Sequence, residues 1–86
     1  MECIELTLHH LKGYNVNQCI IVQWLVEDGT AVKAGDAVAE VETCKVTAVL
    51  EAGAFGILRH KYHMWDYVDI TDVVGWIEVP IEEGGI

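Results

Sequence analysis

The sequence contains a single proline, no Cys-x-x-Cys pair and only five basic residues, and the shortage of bases excludes whole classes of partner. Fourteen acidic residues outweigh the bases and give a net charge of −9. Nucleic-acid binding requires clustered Lys and Arg, and an anionic membrane surface repels a chain this acidic. We therefore expect no nucleic acid and no membrane among its partners, and a basic patch on any protein partner.

Long apolar runs are also missing, and none reaches the length that spans a bilayer. The opening stretch "MECIELTLHH" lacks the basic start and the apolar segment of a signal peptide. Cys3, Cys19 and Cys44 are odd in number and widely spaced, which fits reduced thiols: two in strands and Cys44 in an exposed turn. The sequence therefore predicts a cytoplasmic location, or the mitochondrial matrix if the source is eukaryotic.

The apolar periodicity is that of strands rather than helices. Short alternating or apolar runs predict strands at residues 3–8, 19–26, 36–42, 46–52, 56–62, 67–68 and 73–79, with a slip in the alternation near Glu40. Short strands separated by frequent turn signals indicate an all-β sandwich or barrel. We expect one domain over residues 1–80, followed by an acidic tail or the start of a linker at 81–86.

A weak internal repeat relates two parts of the chain. Residues 31–42, moved forward by thirty-six positions, fall on residues 67–78. The shift aligns Val32 with Val68, Val38 with Val74 and Val41 with Ile77. The repeat predicts two similar halves about a pseudo-two-fold axis, because each half then covers the open apolar face of the other.

The turn after residue 42 contains Thr43, Cys44, Lys45 and Val46, without Gly, Asn or Pro. Tight type I′ turns need positive φ at both central residues, which Cys and Lys resist, whereas a type I turn accepts almost any residue. The turn is therefore feasible, but its residues are not those that the backbone conformation of a tight turn favours. A lysine amine is protonated at neutral pH and becomes a nucleophile only when an enzyme deprotonates it. We interpret Lys45 as an acceptor of covalent modification, with an ordinary solvated lysine as the alternative.

The surrounding sequence is similar to that of a known family: it reads "IVQWLVEDGTAVKAGDAVAEVET", followed after Cys44 by Lys45, Val46 and Thr47. With Gly56 eleven residues after the lysine, it resembles the lipoyl-attachment domain of the dihydrolipoamide acyltransferases of 2-oxoacid dehydrogenase complexes. The resemblance is strong over residues 20–58 and weaker elsewhere. It implies a barrel-sandwich hybrid of two four-stranded antiparallel sheets, with Gly35 and Gly56 as turn glycines.

The resemblance also implies a chemistry and a set of partners. Lys45 would carry covalent lipoate, attached by a lipoate ligase or lipoyl transferase. The lipoyl arm would take an acyl group from a thiamine-diphosphate-dependent enzyme to an acyl acceptor, and a flavin dihydrolipoamide dehydrogenase would reoxidise it. Glu42, Thr43, Cys44 and Val46 would form the surface that partners recognise. The domain would have no catalytic residues and would be a substrate of enzymes rather than an enzyme.

Three positions depart from the family pattern. Cys44 and Val46 stand where the family usually has Asp and Ala around the lysine, and Trp65 replaces a turn glycine. These differences favour a specialised relative, such as a free-standing acyl carrier. Biotin carriers share the fold, but their sites resemble Met-Lys-Met. A biotin carboxyl carrier and an unmodified barrel-sandwich interaction module remain open alternatives.

The histidines do not indicate a metal site. His60 and His63 are three residues apart, which on a strand places them on opposite faces. His9 and His10 follow the first strand, and the resemblance implies that their loop lies near the lysine hairpin and helps to select partners. Trp24 occupies the position of the family's strand tryptophan.

Overall fold

The computed structural model describes residues 2–80, so the predicted tail at 81–86 lies outside the described residues. One 3₁₀ helix (His9–Tyr14) follows the first strand. The strands are β1 (Glu2–Thr7), β2 (Gln18–Trp24), β3 (Ala31–Val32), β4 (Ala37–Glu42), β5 (Thr47–Glu51), β6 (Gly56–His60), β7 (Tyr67–Asp69) and β8 (Val73–Val79). The predicted strands correspond to seven of these, whereas β3 and the 3₁₀ helix were not predicted.

The strands form two four-stranded antiparallel sheets, as expected for a barrel-sandwich. The order is β1-β8-β6-β3 in the first sheet and β5-β4-β2-β7 in the second. Replacing each strand by the one four places on, with the count returning from β8 to β1, converts the first order into the second. The topology therefore has the pseudo-two-fold relation that the sequence repeat predicted.

The repeat also identifies the centre of the core. The three apolar pairs named above are all at most 2% exposed: Val32 with Val68, Val38 with Val74, and Val41 with Ile77. Burying an aliphatic side chain of this size stabilises a protein by roughly 1.5–3 kcal/mol. The two halves thus contribute equivalent side chains to one shared core.

The predicted slip in the alternation of β4 is confirmed. Val38 and Ala39 are neighbours in sequence, yet both are fully buried. The pairing of β4 with β5 shifts register between Ala37 and Ala39, so a local irregularity lets two consecutive side chains face the core.

The 3₁₀ helix lies between β1 and β2 in the first half, whereas the equivalent strands of the second half, β5 and β6, are joined without a helix. Leu8 and Leu11 are buried, and their spacing of three residues matches the three residues per turn of this helix. The helix ends at Tyr14 and is capped by Asn15, which adopts a left-handed conformation (φ 58°) and donates its N–H to the carbonyl of Lys12. The Leu8–Leu11 spacing is the sequence signal for this helix, and it is invisible to a two-residue strand alternation.

The two glycines expected in turns have different roles. Gly35 has φ +91° and lies in the turn before β4, as predicted. The expectation for Gly56 was wrong, because this residue is the first of β6. A Cβ at Gly56 would lie 2.3 Å from the carbonyl oxygen of Glu78 on the neighbouring β8. Gly56 is therefore needed for close approach between strands rather than for a turn.

We predict that Gly56→Ala destabilises the domain by about 2–3 kcal/mol, because the backbone of β8 must move to admit the methyl group. Gly53→Ala is the matched control, since a Cβ there meets only Ile4 at an ordinary 3.7 Å. Urea unfolding of both variants measures the difference. Equal stabilities would contradict the packing role of Gly56.

Trp65 has an unusual backbone conformation for a bulky residue, with φ 74°. The repeat aligns it with Gly29, which has φ 85°. The backbone contacts correspond as well: Gly29 donates its N–H to the carbonyl of Leu58 at 2.8 Å, and Trp65 donates to Ile21 at 2.6 Å. The fold therefore demands the left-handed conformation at both turns, although a tryptophan tolerates it poorly.

We predict that Trp65→Gly is more stable than Trp65→Ala by about 1 kcal/mol. Both substitutions remove the indole, but only alanine keeps a Cβ that disfavours positive φ. Chemical denaturation of the two variants compares them directly. If alanine were the more stable replacement, the backbone at residue 65 would not be under this constraint.

Candidate functional site

The hairpin of β4 and β5 presents the predicted lysine. The strands pair from Ala37 opposite Glu51 to Glu42 opposite Thr47, which leaves a four-residue loop. We call this loop, residues 43–46, the lysine tip. Cys44 and Lys45 do not appear among the described residues with positive φ, so the loop avoids the primed geometry that these side chains resist.

The Thr43 side chain closes the lysine tip. Its hydroxyl oxygen accepts the backbone N–H groups of Lys45 at 3.1 Å and Val46 at 2.9 Å. The same hydroxyl lies 3.2 Å from the carbonyl of Val46, to which it can donate, and the Thr43 N–H donates to that carbonyl at 2.8 Å. A threonine hydroxyl thus supplies the turn contacts that Gly or Asn provides elsewhere. Thr43, expected from the resemblance to serve partner recognition, thus has a structural role that its residue type alone did not indicate.

The remaining predicted site residues differ in exposure. Lys45, Cys44 and Glu42 are exposed, whereas Val46 is partly buried and packs against the core. Within residues 2–80, the Lys45 amine has no ion pair and no hydrogen bond. The tip is therefore anchored on one side by Val46 and leaves the lysine amine accessible.

A groove of about 470 Å³ lies beside the lysine tip. It is lined by Val16, Asn17, Gln18, Cys19, Ile20, Glu42, Thr43, Cys44 and Tyr67. The connection between β1 and β2 thus reaches the tip through residues 16 and 17. His10 instead lines a separate groove with Val49 and Glu51 of β5, so this histidine lies beside the hairpin rather than at the groove next to its tip.

The outer face of the second sheet continues from the tip. Thr47 pairs with Glu42, Glu42 with Ile20, and Ile20 with Tyr67. Directly paired residues point to the same side of a sheet, so these four side chains form one row across all four strands. The row joins the base of the lysine hairpin to the opposite edge of the sheet at β7.

The two histidines weighed as metal ligands, His60 and His63, have different surroundings. The His60 ring stacks on Trp24 with centroids 3.6 Å apart and contacts the Val26 carbonyl through Nε2, whereas His63 is almost fully exposed. In residues 2–80, no group of three His, Cys, Asp or Glu side chains is placed to hold a metal ion. None of the described helices is long and apolar enough to cross a membrane.

Two side chains away from the tip have strongly shifted pKa values. Burial raises the pKa of the Cys19 thiol to about 11, which makes this core cysteine unreactive at neutral pH. Hydrogen bonds from Lys61 and Tyr62, with a backbone N–H, lower the pKa of Asp72 to about 2. Asp72 thereby fastens the segment after β6 to the start of β8, and neither group belongs to the tip.

Comparison with known families agrees with this geometry. The family model described as "Biotin-requiring enzyme", for biotin and lipoyl attachment, matches residues 12–61. The chain belongs to the biotin/lipoyl attachment domain family. A search of curated proteins found no match. The matched range covers more than half of the chain and includes the whole β4–β5 hairpin.

Membership of the biotin/lipoyl attachment family explains why one lysine is presented on a rigid hairpin. Domains of this family hold lipoate or biotin covalently and act as carriers, so the chemistry belongs to the attached group. In this chain, the lysine tip provides an accessible amine on a loop that its own side chains fasten.

We predict that Thr43→Val destabilises the domain by about 1 kcal/mol and speeds amide exchange at Lys45 and Val46, because both N–H groups lose their acceptor. Thr43→Ser is the control, since it retains the hydroxyl. Denaturation and hydrogen exchange report the two effects. If the amides of Lys45 and Val46 exchanged as slowly in the valine variant as in the wild type, the hydroxyl would not hold the turn.

Proposed function

We propose that this protein is a lipoyl carrier domain in which Lys45 holds the lipoyl group. The observation that supports it best is the position of Lys45: an exposed amine at the lysine tip, without a bonding partner in residues 2–80. An enzyme can grasp such an amine without unfolding any part of the core.

The surroundings of Lys45 fit an attached group. The loop holds the lysine backbone through Thr43, while the long side chain remains free to act as the root of a tether. Cys44 and Val46 flank the lysine, in contrast to the Met-Lys-Met pattern that biotin sites resemble. This contrast favours lipoate over biotin.

In this proposal the attached group, rather than the side chains of the domain, performs the chemistry. A lipoyl group in amide linkage to Lys45 would supply the dithiolane that accepts and releases acyl groups. The residues of the chain hold the attachment point away from the core and keep its base rigid. Tethering then makes each delivery effectively intramolecular, because the arm cannot diffuse away from the complex.

The proposed partners follow from the same function. A lipoate ligase or lipoyl transferase would attach the group, a thiamine-diphosphate-dependent enzyme would donate the acyl group, and a flavin dihydrolipoamide dehydrogenase would reoxidise the arm. The domain would be a substrate of these enzymes, not an enzyme. Its place would be the cytoplasm, or the mitochondrial matrix in a eukaryote. A 2-oxoacid dehydrogenase acyltransferase, or a free-standing acyl carrier related to it, is the setting that this function favours.

We predict that the protein isolated from its native host contains one lipoyl amide, and that Lys45→Arg abolishes it, because arginine offers no amine for acylation. Intact mass spectrometry and peptide mapping locate the adduct. Lys33→Arg is the matched control, since Lys33 is also exposed in a turn but lies outside the lysine tip.

The same experiment separates the alternatives. A biotinyl adduct at Lys45 would identify a biotin carboxyl carrier. An unmodified mass in a host that expresses the lipoylating enzyme would identify an interaction module. A lipoyl group on another lysine would contradict the assignment of Lys45.

A further inference from the structure

Three large apolar side chains are exposed where the chain enters β7. Met64 is 46% exposed, Trp65 62% and Tyr67 68%. We call these residues the aromatic edge, because β7 is an edge strand of the second sheet. Tyr67 also lines the groove beside the lysine tip, so the aromatic edge meets that groove at this residue.

The conformation of Trp65 is not explained by packing within the domain. Its left-handed backbone is unfavourable for a tryptophan, and the equivalent turn in the other half uses Gly29. The indole is mostly exposed, so the core gains little from it. Large exposed apolar groups that a fold does not need are typical of binding surfaces.

The aromatic edge is near the site of modification. Tyr67 pairs with Ile20, and Ile20 pairs with Glu42, the last residue before the lysine tip. Two strand spacings separate Tyr67 from Glu42, which is roughly 10 Å. An enzyme engaged with Lys45 can therefore contact this part of the sheet at the same time.

The charges on this face have one sign. Glu42 lies in the row, and Glu40 on β4 and Asp69 on β7 are the carboxylates next along those strands, whereas β2, β4, β5 and β7 contain no Lys or Arg. Glu40 and Glu42 have no ion-pair partner in residues 2–80. By contrast, Arg59 on the first sheet pairs with Glu78 at 3.1 Å. The second sheet thus offers unpaired carboxylates around apolar side chains.

The lysine tip itself has no carboxylate. Its residues are Thr43, Cys44, Lys45 and Val46, and the hydroxyl of Thr43 is already used in the loop. An enzyme that must distinguish Lys45 from other exposed lysines finds few polar contacts at the tip. The nearest charged groups that can guide it are Glu42 and Glu40.

We propose that the enzyme that attaches the lipoyl group to Lys45 docks on the outer face of the second sheet. It would cover Trp65 and Tyr67 with an apolar pocket and place Lys or Arg side chains opposite Glu40 and Glu42. The complementary charges would steer the encounter, and the aromatic side chains would supply most of the affinity. This inference rests on the proposed lipoyl function.

The test of the aromatic edge is the rate of loading by the purified lipoate ligase of the host. Tyr67→Ala and Trp65→Gly should each lower kcat/KM about tenfold, mainly through KM, as expected for buried aromatic anchors. Trp65→Gly keeps the turn, because glycine accepts the same φ. Phe55→Ala is the matched control, since Phe55 is 59% exposed but lies next to β6. It should load within about twofold of the wild type.

The test of the charges uses a double variant, Glu40→Gln with Glu42→Gln. Its kcat/KM should fall several-fold at low salt and become less dependent on ionic strength, because steering is lost. Glu5→Gln on β1 of the first sheet removes an exposed charge elsewhere and should change neither quantity. Melting curves of all variants confirm that the domain is folded.

A second measurement follows contact directly. The Lys45→Arg domain, labelled with ¹⁵N and titrated with the ligase, should show amide shifts concentrated in β2, β4 and β7. Wild-type protein that the ligase fails to load would overturn the proposed function, and the docking proposal with it. Efficient loading of the wild type and of every variant would overturn docking alone, as would a dimer of the free domain that buries the aromatic edge.

Discussion

The structure depends on the fact that neither half of the chain can bury its apolar face alone. Each sheet takes two strands from the first half and two from the second: β8 lies between β1 and β6, and β2 lies between β4 and β7. The core forms only when both halves interleave, which makes most of the pairing long-range. The β4–β5 hairpin is the point at which the chain passes from one half to the other. Lys45 therefore lies on the connection between the two halves, at the tip of a hairpin whose strands are both paired in the second sheet.

This position supplies what a carrier requires. β4 is an inner strand with partners on both sides, and Val46 packs against the core, so the hairpin has a rigid base. The Thr43 hydroxyl holds the loop without using the lysine side chain. The lysine stem, and whatever is attached to it, can therefore move without breaking these contacts. A rigid base limits the space that the arm must search, which raises its effective concentration at a neighbouring active site.

Much of this could be predicted from the sequence, because burial leaves a periodic trace. Val38, Val41, Val74 and Ile77 marked both the strands and the repeat, and all are buried. The rest depends on contacts that no pattern encodes. β3 has only two residues, too few for alternation, and Gly56 is set by the carbonyl of Glu78, which is distant in sequence. The positive φ of Trp65 is not expected from its residue type, and the signal for it lay instead in the repeat, which aligns Trp65 with Gly29.

The two-fold relation also separates what the fold requires from what a partner requires. The turns before β3 and β7 have the same backbone hydrogen bonds, so the fold makes the same demand at both. The first meets it with Gly29, the residue best suited to the conformation, and the second with Trp65. Since the demand is shared, the fold cannot be the reason for the difference. The tryptophan lies at the sheet that also presents Lys45, next to the exposed Tyr67 and on the side of the unpaired glutamates. The asymmetry therefore follows the proposed attachment site, Lys45, as a docking surface would.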